Sequence, residues 1–229
     1  MKMLKRAAIA AVVSLSAVVS MQAQAQVRVT EVAPWASGNA PYASDWFELT
    51  NIGATAVSIA GWRMDDSSAS FATAAALTGI SSIAAGESVI FIESAAANAG
   101  FLGAWFGAAT PSLQIGNYTG PGVGLSTGGD GVAIFDGAGL LRASVSFGAS
   151  DGVSPYQSFD NAARLDIVSL SLLSAAGMNG AFVAAGDAME IGSPGSAALS
   201  VSAVPETDTY LLLLAGLGAV AFASRKRPS

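Results

Sequence analysis

Short apolar runs, each closed by glycine or small polar residues, recur along the chain from Val27 to about Ala198. Val27–Val32 and Asp45–Thr50 mix β-branched and aromatic residues at strand length and predict the first two strands. Asn51 to Gly53 is a turn signal, and Ala56–Trp62 is the strand that follows it. Glu87–Ile92, entered through Ala85 and Gly86, holds an unbroken apolar run, which predicts burial on both faces. Asp136 and Gly137 separate Val132–Phe135 from Leu140–Phe147 and mark a hairpin. In its second arm Leu141, Ala143, Val145 and Phe147 alternate with Arg142, Ser144 and Ser146, so one face points inward and the other meets water. Val168, Leu170 and Leu172 alternate with serines and predict a late strand, whereas Ser94–Gly129 sustains no period beyond a short helix near Ala95–Phe106. Short strands, turn signals and no long amphipathic helix predict an all-β fold, an antiparallel β-sandwich.

The two ends of the chain follow other rules. Lys2, Lys5 and Arg6 precede an apolar stretch from Ala7 to Val19, and Ala23 and Ala25 then stand where a signal peptidase reads small residues. That stretch is about 13 residues, short of the ~20 a spanning helix needs, so cleavage after Ala25 is expected. Near the other end Tyr210–Ala223 is apolar and is closed by the basic stop Arg225, Lys226 and Arg227. Such a cluster is retained on the cytoplasmic side and leaves the preceding body outside. The organisation expected is a signal peptide over 1–25, a body over 27–198, a linker over 199–209 and a transmembrane helix with basic tail over 210–229. Gly192–Ala203 is the stretch that joins body to tail.

Composition narrows the chemistry. The chain has no His and no Cys, which removes Ser-His-Asp and Cys-His catalysis, disulfides and thiolate metal sites. Six of the ten bases lie in the two ends, so the span Val27–Val204 holds fourteen acids against Arg28, Arg63, Arg142 and Arg164, a net of −10. A body this acidic cannot neutralise phosphates, and nucleic acid is excluded as a partner.

The C-terminal arrangement resembles the PEP-CTERM sorting signal of Gram-negative bacteria that secrete exopolysaccharide. Val204, Pro205 and Glu206 match its motif, with Thr207 where a second proline is usual, ahead of the apolar stretch and the Arg-Lys-Arg end. The resemblance implies recognition by an exosortase, passage through the inner membrane by the tail, and delivery to the cell surface or matrix. A second resemblance runs through the body. Thr30-Glu31-Val32, then Asp45 to Leu49 with Asn51 and Gly53, then Gly61-Trp62, lead to the turn Ala85-Gly86-Glu87. Gly128 to Phe135, Asp136-Gly137, Val145 to Gly148 and Gly192-Ser193-Pro194-Gly195 complete it. This order is similar to the lamin-tail domain, which implies an immunoglobulin-like sandwich.

Glu31 and Glu48 are the acids to inspect first, because each is set in an apolar strand, where an unpaired carboxylate is costly. They could form a carboxylate pair for acid–base work or a cation site. The favoured reading is structural: each caps a strand or pairs with Arg28 or Arg63. Asp65, Asp66, Asp130, Asp136 and Asp151 are candidate calcium ligands, but no calcium-loop spacing is present and Asp beside Gly commonly forms turns. No cofactor is expected. Trp35 and Tyr42 form a candidate platform for sugar rings, whereas Trp46 and Trp62 sit in strand patterns and are expected in the core.

The function expected is a non-enzymatic, exported sandwich acting as a structural or adhesive module at the cell surface or in the exopolysaccharide matrix. Its processing partners would be signal peptidase and exosortase, with the membrane engaged through the tail. The alternative is a surface module binding polysaccharide or a protein partner, with or without calcium. A third reading, an enzyme using carboxylates alone, needs two of them converging in a cleft.

Overall fold

The structure, a computed structural model, describes residues 27–35, 42–109, 111–150, 153–162 and 168–196. The expected signal peptide, the linker over 199–209 and the tail lie outside the described residues. Among the described residues no helix is long and apolar enough to cross a membrane.

Each predicted strand contains one. The chain opens with β1 (Val27–Ala33) and β2 (Trp46–Asn51), then β3 (Val57–Ser58), β4 (Arg63–Asp65), β5 (Ala75–Thr78), β6 (Ser82–Ile83) and β7 (Ser88–Ile92). A 3-10 turn (Ala95–Ala97) leads into the helix α1 (Asn98–Phe106), where a short helix was expected, and then β8 (Ile115–Tyr118). The hairpin β9 (Asp130–Phe135) and β10 (Leu141–Phe147) follows. Five short strands end the fold: β11 (Tyr156–Gln157), β12 (Phe159–Asp160), β13 (Ser169–Leu170), β14 (Phe182–Val183) and β15 (Glu190–Gly192).

Ten strands form one sheet in the order β12-β1-β2-β7-β8-β5-β4-β9-β10-β13. β1 comes to lie against β10, so the sheet folds over and its halves enclose a core that includes Val29, Phe47, Leu49, Met64, Phe91, Ile134, Val145 and Phe147. The two ends of the order are then tied together. Ser146 donates its backbone N–H to Val168 O (2.6 Å), while Asp160 donates to Leu172 O (2.8 Å) and Ser174 to Ser158 O (2.9 Å). The segment 168–174 therefore closes the sheet and covers both edges, which would otherwise offer unpaired backbone groups. Closure also corrects the late strand: Leu170 is buried, but Val168 and Leu172 point outward.

Three pairings depart from the antiparallel expectation, namely β7 with β8, β10 with β13, and β11 with β15. For β7 and β8 the reason is α1, because a parallel pair needs a crossover and the helix provides it. The hairpin is as expected, but its turn spans Asp136–Leu140, with Gly139 at φ +81°. β10 alternates between faces except at Leu141. There a register shift between Leu141 and Ala143 sets an extra residue into β10, and Leu141 is left exposed.

β2 is buried at every position and β7 at all but Ser88. One face of these strands looks into the core just described. The other packs beneath α1 and beside Tyr156, Phe182 and Ala184, in a second cluster containing Trp35, Trp46, Ile90, Ile92, Phe101 and Trp105.

Candidate functional site

The second face carries two fully buried carboxylates. Glu31 and Glu48 stand directly opposite each other across β1 and β2, and both are fully buried. Alternation alone would send Glu31 to the same face as Val27 and Val29, among the apolar side chains. A bulge between Val29 and Glu31 prevents this by placing both Thr30 and Glu31 on the second face, after which Val32 returns to the core. Asn161 holds the bulge: its side-chain amide donates to Val29 O (2.8 Å) and its backbone N–H to Thr30 O (2.9 Å).

Neither glutamate caps a strand, and neither is paired with Arg28 or Arg63, which corrects the structural expectation in detail. Each is held by neutral donors. Glu31 Oε1 accepts from the Ser193 backbone N–H (2.8 Å) and from the Ser158 hydroxyl, and Oε2 accepts from Ser193 Oγ (3.0 Å). Glu48 Oε1 accepts from Thr30 Oγ1 (2.5 Å) and Oε2 from the Gly195 N–H (2.6 Å). A chain of hydroxyls continues from Thr30 to Thr50 (2.8 Å) and from Thr50 to Ser88 (2.6 Å). Burial, and then the neighbouring Glu48, push Glu31 up to about 8. Burial pushes Glu48 up to about 7, against the hydrogen bonds of Thr30 and Gly195.

The donors on the far side belong to one short segment, Glu190–Ser196, which lies over the pair as a strap. Gly192 fits because it has no side chain: a Cβ there would overlap Glu31 Oε1 and stand 2.9 Å from Ser158 Oγ and from the Trp105 ring. Gly195 presents its N–H to Glu48 at φ +78°, a left-handed conformation that glycine adopts readily. The expectation that Gly192 begins a linker is thus corrected. Gly192, Ser193 and Pro194 are buried in the body, and Gly195 at their exposed end is still held by Glu48.

Trp35 and Tyr42 are buried as well, which overturns the exposed sugar platform. Trp35 donates Nε1–H to Gln157 O (2.9 Å) and packs 5.3 Å from Tyr156. The Tyr42 hydroxyl accepts from Trp46 Nε1 (3.2 Å) and Trp105 Nε1 (3.3 Å), and its ring meets Phe101 edge-on. Burial, and then Glu190, raise the Tyr42 hydroxyl well above its ordinary range. Aromatic rings whose polar tips are taken up by protein partners are core residues, as Trp46 and Trp62 are.

A family model described as Lamin Tail Domain matches residues 20–149, more than half of the 229-residue chain. The chain belongs to the lamin tail domain family. No match was found among curated proteins. Glu31 and Glu48 fall within the matched stretch of the lamin tail domain, whereas Ser158, Asn161, Gly192, Ser193 and Gly195, which secure them, fall after it.

The aspartates of this lamin tail domain build turns. Asp65 accepts from the Ser70 N–H (2.7 Å) and from the hydroxyls of Ser68 and Thr73, and Asp66 accepts from the Ser68 N–H (2.8 Å). Asp130 accepts from the N–H groups of Ser67 (3.0 Å), Ser126 (3.0 Å) and Gly131 (2.9 Å). Asp136 accepts from Ala138, Leu140 and Arg142, and the Leu140 amide leads in holding it below the usual carboxylate range. Among the described residues no three acidic groups converge in a way that could hold a metal ion. Asp151, the cleavage residues Ala23 and Ala25, the motif Val204, Pro205 and Glu206, and the stop Arg225, Lys226 and Arg227 lie outside the described residues.

Sequence reasoning selected the two glutamates but not their partners. Ser158, Ser193 and Asn161 sit in polar, weakly periodic sequence. The one signal that pointed to the strap was Gly192-Ser193-Pro194-Gly195, read as the close of the lamin-tail pattern.

Proposed function

We propose that this lamin tail domain protein is an exported, non-enzymatic module with a structural or adhesive role at the cell surface or in the exopolysaccharide matrix, delivered by a PEP-CTERM tail. The observation that carries the reading is the use made of the buried carboxylate pair. The two acids best placed for acid–base work are enclosed and spend their acceptor oxygens on the protein's own hydroxyls and amides. They face each other inside the packing, where a substrate would have to displace the strap. The lamin tail fold is typically non-catalytic, which supports the same reading. Export is supported by the basic start, the apolar stretch and Ala23 and Ala25, and sorting by Val204, Pro205 and Glu206 ahead of Tyr210–Ala223 and the basic stop. Signal peptidase and exosortase are the processing partners in this reading. The acidic body suits solubility outside the cell and disfavours nucleic acid. The polysaccharide-binding alternative has lost its aromatic platform with the burial of Trp35 and Tyr42.

The test is intact mass and fractionation of the chain expressed in an exosortase-positive host. The expected species lacks residues 1–25 and the apolar tail and is found outside the inner membrane. A species that keeps Tyr210–Ser229 and stays in the inner membrane overturns the sorting reading.

A further inference from the structure

The carboxylate pair and the strap form one mechanical unit, and its state depends on protons. Glu31 and Glu48 oppose each other on adjacent strands, are fully buried, and have hydroxyls and amides, not cations, as their hydrogen-bond partners. Like charges set directly opposite in a sheet repel, and burial removes the water that would screen them. Each carboxylate has one strap amide, Ser193 for Glu31 and Gly195 for Glu48, but two negative charges set opposite each other repel.

We propose that Glu31 and Glu48 act as a proton-loaded clasp, which holds the strap Glu190–Ser196 closed while the pair keeps a proton and releases it when both acids are ionised. This inference concerns the folded body alone and does not rest on export or sorting.

The surroundings make the strap the part that yields. On β1 the other charged residue is Arg28, which lies opposite Thr50 and donates to Val27 O (3.4 Å). On β2 Glu48 itself is the charged group, with Asp45 just ahead of the strand. On β7 the neighbours are Ser88 and Ile90, and α1 carries no charged residue. On β12 Asp160 is the register partner of Glu31 on the side away from Glu48, and it is engaged by the Ala162 N–H (2.7 Å) and by Asn179 (2.7 Å). The strap adds Glu190, buried beside Tyr42. The charge that acts on Glu31 is that of Glu48 across the strand pair, so the repulsion on full ionisation is between the two glutamates themselves. Two walls of the enclosure are long sheet strands and a helix. The strap is attached by three-residue β15 to β11 and β14, each two residues long, so its lifting admits water at least cost.

The sign follows from the direction of both shifts. Each acid titrates in the fold above its ordinary 4.5, so the folded state keeps protons that the open state has lost. The closed strap is favoured below that ordinary value and weakens as pH rises towards about 8.

The test is pulsed hydrogen exchange on the full-length chain in detergent at pH 6 and pH 9, corrected for intrinsic exchange. The expected result is a fall of at least about tenfold in protection at the Ser193 and Gly195 amides. Val89 and Phe91 in β7 should change by less than about threefold, and in Glu31→Gln/Glu48→Gln the strap should lose its response to pH. Unchanged strap protection in the wild type overturns the clasp, as does an equal loss in β7 or a pH response that survives in the double variant. Should that variant not fold, carbon-13 titration of the wild-type carboxyls decides. Two midpoints near the ordinary 4.5 overturn the proposal, and midpoints raised together with the selective strap response support it.

Discussion

Along β1, β2 and β7 one face presents Val29, Phe47, Leu49, Val89 and Phe91 to the core, while the other presents Thr30, Glu31, Glu48, Thr50 and Ser88 beside Trp46, Ile90 and Ile92. Both faces are dry, yet they are built on opposite rules. The first gains from area removed from water, about 1.5–3 kcal/mol for each fully buried side chain of this size, and asks little of direction. The second buries groups that are costly unless every acceptor meets a donor. It therefore depends on where a few hydroxyls and amides lie: Thr30 and Thr50 on the strands themselves, and Ser158, Ser193 and Gly195 from the late part of the body. The first face makes the sheet close, and the second determines what covers it.

The comparison breaks most visibly at Phe47, which packs between Phe91 (5.5 Å) and Tyr118 (5.2 Å). Phe47→Ala should cost about 3–5 kcal/mol in denaturant unfolding, with the pH dependence of stability unchanged because the carboxylates are untouched. Gly192→Ala tests the other face and should cost about 1–3 kcal/mol, since its Cβ would meet Glu31, Ser158 and Trp105. Gly148→Ala, where a Cβ meets nothing within 4 Å, is its control and should leave the midpoint nearly unchanged.

Titration separates the faces without mutation. Both glutamates sit above their ordinary value, so unfolding releases protons, and stability should fall as pH rises from about 5 to about 8. The slope expected is about 1.4 kcal/mol per pH unit for each proton the fold retains, read from melts across that range. Ser193→Ala removes one donor to Glu31 while keeping the backbone amide and should cost about 1–2 kcal/mol. The smallest effect belongs to the surface. Arg142 lies 2.7 Å from Asp136 but is half exposed, and Arg142→Ala should barely move the melting temperature.

Strand periodicity located β1, β2, β7, β9 and β10 because each holds enough apolar or alternating positions to show its face. β12, β14 and β15 are two or three residues long and leave no such trace. The same limit explains why the sequence suggests an exposed Trp35 and Tyr42: the residues that bury them, Tyr156, Phe101 and Trp105, lie 59 or more positions away along the chain. Glu31 is the sharpest case. Its spacing from Val27 and Val29 assigns it to the core face, and the bulge at Thr30 turns it to the other.

From sequence alone came the all-β class, the hairpin at Asp136, the acidity of the body, and the choice of Glu31 and Glu48 as the acids that matter. These are local or compositional properties, set by period, turn chemistry and charge. That the glutamates face each other, that Ser158, Ser193 and Gly195 serve them, and that Gly192–Gly195 belongs to the body and not to a linker were decided only by the tertiary structure. The donors are separated from the acids by well over a hundred residues, and a hydrogen bond depends on position to a few tenths of an ångström, which only the closed sheet supplies.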